Sequence, residues 1–170
     1  MTGTTSLSLG GLLAALIVLY ANLRPWWAGN RDPKRLAAFG KGLAAALAAA
    51  ACPGGILGWV RHRAGAVANS AGETGGHAAT GTTQTQTVAG GQLTGLVATG
   101  ATVAALAVFA VVLAWKAAGK DDRRRIVGGA FVGLVFTLTA GGAGALDWLP
   151  GALNGVGDGI VDLAEGAHLL

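Results

Sequence analysis

Ten of the twelve Lys and Arg residues fall in two short stretches that separate long apolar runs. Arg24, Arg31, Lys34, Arg35 and Lys41 form the first stretch; Lys116, Lys120, Arg123, Arg124 and Arg125 form the second. Residues 7–23, 42–60 and 91–115 carry no charged side chain, and 126–149 carries only Asp147. Lys and Arg resist transfer across a bilayer, so clusters of this kind mark loops left on the cytoplasmic side. The pattern points to an all-α, polytopic membrane protein: four transmembrane helices in two hairpins, followed by a C-terminal amphipathic helix.

Composition agrees. The hydrophobic fraction is 52% and the charged fraction 12%, where a soluble domain carries about 25% charged residues. The 30 Gly residues follow no Gly-X-Y period, which excludes a collagen helix. Together with abundant Ala they suit closely packed membrane helices. The net charge of +4 is accounted for by the loops. No aromatic side chains interleave with the basic ones to stack bases, so direct nucleic-acid binding is not expected, although contact with anionic lipid or DNA phosphate stays open. The single cysteine, Cys52, allows no internal disulfide and reads as a small buried residue.

Residues 1–60 form a first helix pair, with spans at about 7–23 and 42–60. No basic residue precedes the first apolar run and no small-x-small site follows it, so the first helix is read as retained rather than cleaved. Pro25 is expected to end that helix. The second span, GLAAALAAAACPGGILGWV, contains Pro53-Gly54-Gly55, which should kink it; a surface helix or re-entrant hairpin is the alternative. Parity favours a crossing, because four spans place all ten clustered basic residues on one side. Residues 61–90, rich in Gly, Ala, Thr and Gln, read as a flexible extracytoplasmic linker. A second hairpin, 91–149, has spans at about 91–115 and 126–149. The tight basic loop KAAGKDDRRR joins them and forces them antiparallel.

The tail, residues 150–170, is acidic and amphipathic. Leu153, Val156, Ile160 and Leu163 make one stripe, with Asp158, Asp162 and Glu165 on the opposite side. Both termini are therefore expected outside the cytoplasm. Tyr20 and all five Trp residues, Trp26, Trp27, Trp59, Trp115 and Trp148, fall at predicted membrane boundaries, where aromatic side chains anchor helices.

No enzyme motif stands out. The spans hold no ionisable residue at mid-depth, which argues against a proton relay or ion-coupled transporter. His62, His77 and His168 have no metal-ligand spacing. Gly40-Lys41 and Gly119-Lys120 lack the rest of a phosphate loop. No catalytic residue, cofactor or metal is assigned, and enzyme activity is not expected. What remains is a set of small residues at every fourth position: Gly91, Gly95 and Thr99 in one span, and Gly129, Gly133, Thr137 and Gly141 in the other. Such stripes let helix backbones approach, either within one copy or between copies. Thr94, Thr99, Thr102, Thr137 and Thr139 can satisfy their hydroxyls on their own helices.

The pieces LVATGATVAALAVFAVVLAWK, KDDRRR and IVGGAFVGLVFTLTAGGAGAL resemble the mature part of pilin-like proteins of type IV secretion and conjugation systems. Those proteins have two apolar helices joined by a short basic cytoplasmic loop. The Ala/Gly-rich style is also similar to actinobacterial plasmid-spread membrane proteins. The resemblance implies a self-associating component of a conjugation or secretion apparatus in the cell (inner) membrane, with the bilayer, further copies of itself and other apparatus subunits as partners. A phage holin-like pore former and an accessory structural membrane subunit are the alternatives.

Overall fold

A computed structural model describes residues 6–29, 31, 33–81 and 86–167, without the side chains of Lys34 and Arg35. The fold is all-helical, with 81% of the described residues in seven helices. The first helix, α1 (Leu9–Trp27), starts where the Ser8 hydroxyl accepts a hydrogen bond from the Gly11 N–H at 3.0 Å, an N-cap that satisfies one of the helix's free donors. It does not stop at Pro25. The proline removes a single hydrogen bond in the final turn, and the Ala28 N–H still reaches the Arg24 carbonyl at 2.9 Å.

The second span is likewise recast. Helix α2 (Pro33–Ala51) opens on a proline, whose fixed φ and missing N–H suit the first helical position. At Cys52-Pro53-Gly54 the chain breaks, Gly55 takes φ +67°, and α3 (Gly55–Thr80) leaves at 113° to α2. Residues 42–60 therefore do not form one straight span.

Helix α3 also overturns the expectation of a flexible linker. It continues through Thr80 and closes at Gly81, where the Gly81 N–H reaches the His77 carbonyl at 2.9 Å. Its buried residues are Gly58, Arg61, Gly65, Ala68 and Gly72, spaced alternately three and four apart, so one side of the helix is a seam of small residues. Gly72 meets the backbone of Gly10, and Ala68 and Asn69 meet Gly11. A segment without large apolar side chains looks like coil, yet it folds because tertiary contact along a narrow face sustains helices of weak propensity. Residues 82–85 of the expected linker lie outside the described residues.

The chain then runs extended. A two-residue strand, β2 (Thr87–Val88), pairs antiparallel with β1 (Leu7–Ser8) in the register Leu7↔Val88 and Ser8↔Thr87. Helix α4 (Ala98–Ala117) begins seven residues later than the predicted span at Gly91. Gly91 and Gly95 consequently lie outside any helix, Gly95 at φ +90°, a backbone conformation that favours glycine, and they make no helical stripe with Thr99.

The predicted span 126–149 is broken as well. Helix α5 (Lys120–Thr137) ends early, a single short turn α6 (Ala140–Ala145) follows, and α7 (Leu149–Gly166) replaces both its far end and the tail. The break has local causes. The Thr137 and Thr139 hydroxyls donate to the carbonyls of Leu134 and Phe136, each at 2.8 Å, and AGGAGA is glycine-rich and a weak helix former. The exposed peptide groups are taken up by the extended segment beside them. The Gly91 N–H donates to Leu138 O at 2.9 Å and the Ala140 N–H to Ala89 O at 2.8 Å.

Packing sets the directions of the helices. Helices α2 and α5 form the tightest seam: Gly42 lies on Ile126 and Ala130, Gly129 on Phe39 and Leu43, and Gly133 on Leu43 and Ala46. The two run parallel. Asn22, near the end of α1, lies on Gly128, so α1 runs antiparallel to both. Trp115, at the end of α4, borders the same groove as Ile126 at the start of α5. Hence the two basic stretches meet at one end of the bundle. At the other end α3 crosses from α2 to the start of α1.

Among the described residues two helices, α1 (19 residues) and α4 (20 residues), are long and apolar enough to cross a membrane, and the bent α2–α3 pair could make a third span. Their outer faces are apolar, with Ile17 68% and Phe109 59% exposed. Joined by a tight turn, α4 and α5 diverge, and α4 packs chiefly on α7.

Candidate functional site at the helix break

Most charged side chains in the described residues are exposed. Among them Arg61 alone is buried, at 7% exposure. The buried seam of α3 carries it inward between the end of α5 and the extended segment at Gly91. One terminal nitrogen, Nη2, donates to Gly91 O at 2.7 Å and to Thr137 O at 3.2 Å. Thr137 is the last residue of α5, so one of the two accepting carbonyls is a helix-end carbonyl that no later turn can use, and the guanidinium sits at the negative end of the helix dipole. Among the described residues no carboxylate pairs with it, and its buried Nε has no hydrogen-bond partner.

The magnitudes explain why the charge is tolerated. Burying a guanidinium costs several kcal/mol. Each charge-assisted bond contributes about 1.5–3 kcal/mol, and the helix terminus adds up to about 2 kcal/mol. These terms roughly offset the burial, leaving an arginine that ties α3, α5 and the 91 segment together. It remains short of a full counter-charge.

A cleft of about 250 Å³ opens beside it, lined by Ala51, Cys52, Pro53, Gly58, Arg61, His62 and residues 92–96. Below the α2–α3 bend lies a second groove of about 260 Å³ with wholly apolar walls, running from Leu57 and Val60 past Val108 to Trp115 and Ile126. Neighbouring α3 residues thus serve the two spaces: Leu57 and Val60 the apolar one, Gly58 and Arg61 the polar one. Cys52 is buried, its Sγ 3.7 Å from Ala48 O.

A second arginine caps the opposite end. Arg123 donates from Nε to Trp115 O at 3.0 Å and from Nη2 to Lys116 O at 2.6 Å, with its guanidinium 5.5 Å from the Trp115 ring centre. It thereby closes the α4 C-terminus and fixes the tight basic turn. Arg24 lies in the last turn of α1, while Arg31, Lys41, Lys116, Lys120 and Arg124 are exposed and Arg125 is half-buried. The side chains of Lys34 and Arg35, and His168, lie outside the described residues. Tyr20, Trp27, Trp59, Trp115 and Trp148 are exposed and Trp26 half-buried, with Arg63 lying 5.2 Å over Trp59.

The small-residue set separates into different surroundings. Gly129 and Gly133 face α2 within the same copy, whereas Gly141 has nothing within 4 Å. Thr137 is buried at the break. Thr99 donates to Asp158 Oδ1 at 2.8 Å and lies on Gly157 of α7. The predicted apolar stripe of α7 divides: Leu153 is half-buried and packs against the core, whereas Val156, Ile160 and Leu163 are exposed, Leu163 at 75%. Its polar side packs as well: Asn154 accepts from the Val97 N–H at 3.0 Å and donates to Gly95 O at 2.9 Å.

Sequence reasoning passed over Arg61, one of only two basic residues outside the clusters. The usable signal was its place in the 3-4-3-4 series Gly58, Arg61, Gly65, Ala68, Gly72: an arginine in register with small residues is carried into a packed face. Comparison with protein-family models, characterised proteins and solved structures finds no match.

Proposed function

We propose that the protein is a non-enzymatic, self-associating component of a membrane apparatus of the conjugation or secretion type, anchored in the cell (inner) membrane with its basic end in the cytoplasm. The single observation that carries this reading is the convergence of the two basic stretches, far apart in sequence, at one end of the bundle, while Asp158 of α7, held by Thr99 at the start of α4, marks the other. One charged end suits cytoplasmic partners. The apolar outer faces of α1 and α4 suit lipid, and the outward stripe of α7 gives a further apolar surface for a second copy.

The seam of Gly129 and Gly133 is occupied within one copy, so self-association would use α1, α4 or α7 rather than that stripe. A pore would need polar side chains to spare. Asn22 donates to Val18 O at 2.8 Å, and Thr137 and Thr139 bond carbonyls in the last turn of α5, which favours the scaffold reading over the holin-like one.

The test combines mass and topology. In mild detergent the purified protein is expected as a defined oligomer. In a Cys52→Ala background, Gly75→Cys should react with a membrane-impermeant thiol reagent from outside intact cells, and Asp121→Cys only after permeabilisation. A monomer would sink self-association, and equal labelling of the two positions would sink the topology.

A further inference from the structure

Arg61 holds two neutral carbonyls and the end of a helix dipole worth roughly half a charge, against a full positive charge of its own. It lies in the wall of a cleft deep enough for a small anion, and its buried Nε is unpartnered. His62, Gln92 and Thr94 supply further polar side chains to the same cleft. We propose that this cleft binds a phosphate group, with Arg61 as its principal ligand. The apolar groove under the same bend, bounded by Leu57 and Val60, points to a phospholipid as the source: phosphate in the cleft, acyl chain along α2, α4 and α5. The far end of the bundle, where α3 crosses, is then the headgroup level of the bilayer. The site rests on the membrane reading only for the source of the phosphate and is independent of any apparatus.

The experiment uses the full chain, delipidated in non-ionic detergent. Inorganic phosphate is titrated by calorimetry, and phosphatidylglycerol and diacylglycerol of equal chain length are added for native mass spectrometry. Wild type should retain one phosphatidylglycerol in preference to diacylglycerol. Arg61→Gln should weaken that retention roughly tenfold or more, the loss of a charge-assisted bond, and Arg61→Lys should restore part of it. Thr94→Phe, at an exposed position in the cleft wall, should block binding while leaving thermal unfolding unchanged, so the conclusion does not depend on Arg61→Gln folding well. Binding of inorganic phosphate as well would show that phosphate alone suffices. Phosphatidylglycerol binding without it would place the acyl groove in the site. Equal retention of diacylglycerol, no binding of either phosphate source, or unchanged binding in Thr94→Phe and Arg61→Gln would overturn the proposal.

Discussion

Gly129→Ala puts the central seam of the bundle under test. A Cβ at Gly129 would press on the carbonyl oxygen of Phe39 and stand 3.0 Å from Leu43 N. Both are backbone atoms of α2, and neither can rotate away. Carbon contacts are optimal at about 3.5–4.0 Å, so α2 and α5 must part by something near 1 Å, which forfeits up to half the attraction of each contact along the seam. Overpacking of this kind costs about 1–3 kcal/mol, and the better helix propensity of Ala returns about 1 kcal/mol. Taking the upper end because the obstacle is backbone, the net loss is about 2 kcal/mol. At this chain length that lowers Tm by about 4–8 °C. Gly155→Ala is the matched control. It lies inside α7 with nothing within 4 Å, so the same substitution should raise stability by up to about 1 kcal/mol. Tryptophan fluorescence during thermal unfolding in detergent, at two protein concentrations, reads both. Opposite signs, independent of concentration, are expected. A Gly129→Ala protein as stable as Gly155→Ala would refute the α2–α5 seam, and a loss that varied with concentration would place the stripe between copies.

Two further substitutions probe the break and the tail. Thr139→Val removes the hydroxyl that accepts from the Gly142 N–H at 3.0 Å and so should cost about 1 kcal/mol; an unchanged Tm would deny that this cap holds α6. Asn154→Ala deletes two hydrogen bonds from α7 to the segment before α4, about 2 kcal/mol in total. Its readout is local: faster hydrogen exchange in α7 with α2 and α5 unchanged, and uniform exchange across the chain would contradict an α7 docked through that side chain.

How much of this was legible beforehand follows from which forces act locally. A long uncharged apolar run is a local signal of a helix, so α1 and the body of α4 could be read directly, and the Pro-Gly-Gly break at 53–55 was visible as a kink. Helix α3 was not legible, because its stability comes from a thin seam of small residues whose partners, Gly10 and Gly11, lie far away in sequence. The break after Thr137 was hidden for a related reason. A hydropathy run of that length reads as one helix unless another segment is known to arrive and take up the freed peptide groups, as residues 89–91 do.

The sequence alone determined the helical class, the membrane-compatible surfaces and the grouping of charge into two loops, since each depends only on side-chain transfer free energies along a short window. The tertiary structure decided the rest. It brought the two loops to one end through the parallel α2–α5 seam, turned the expected linker into a crossing helix, and drew Arg61 inside. Those outcomes depend on backbone approach and on hydrogen bonds between distant segments, for which a linear pattern carries no term.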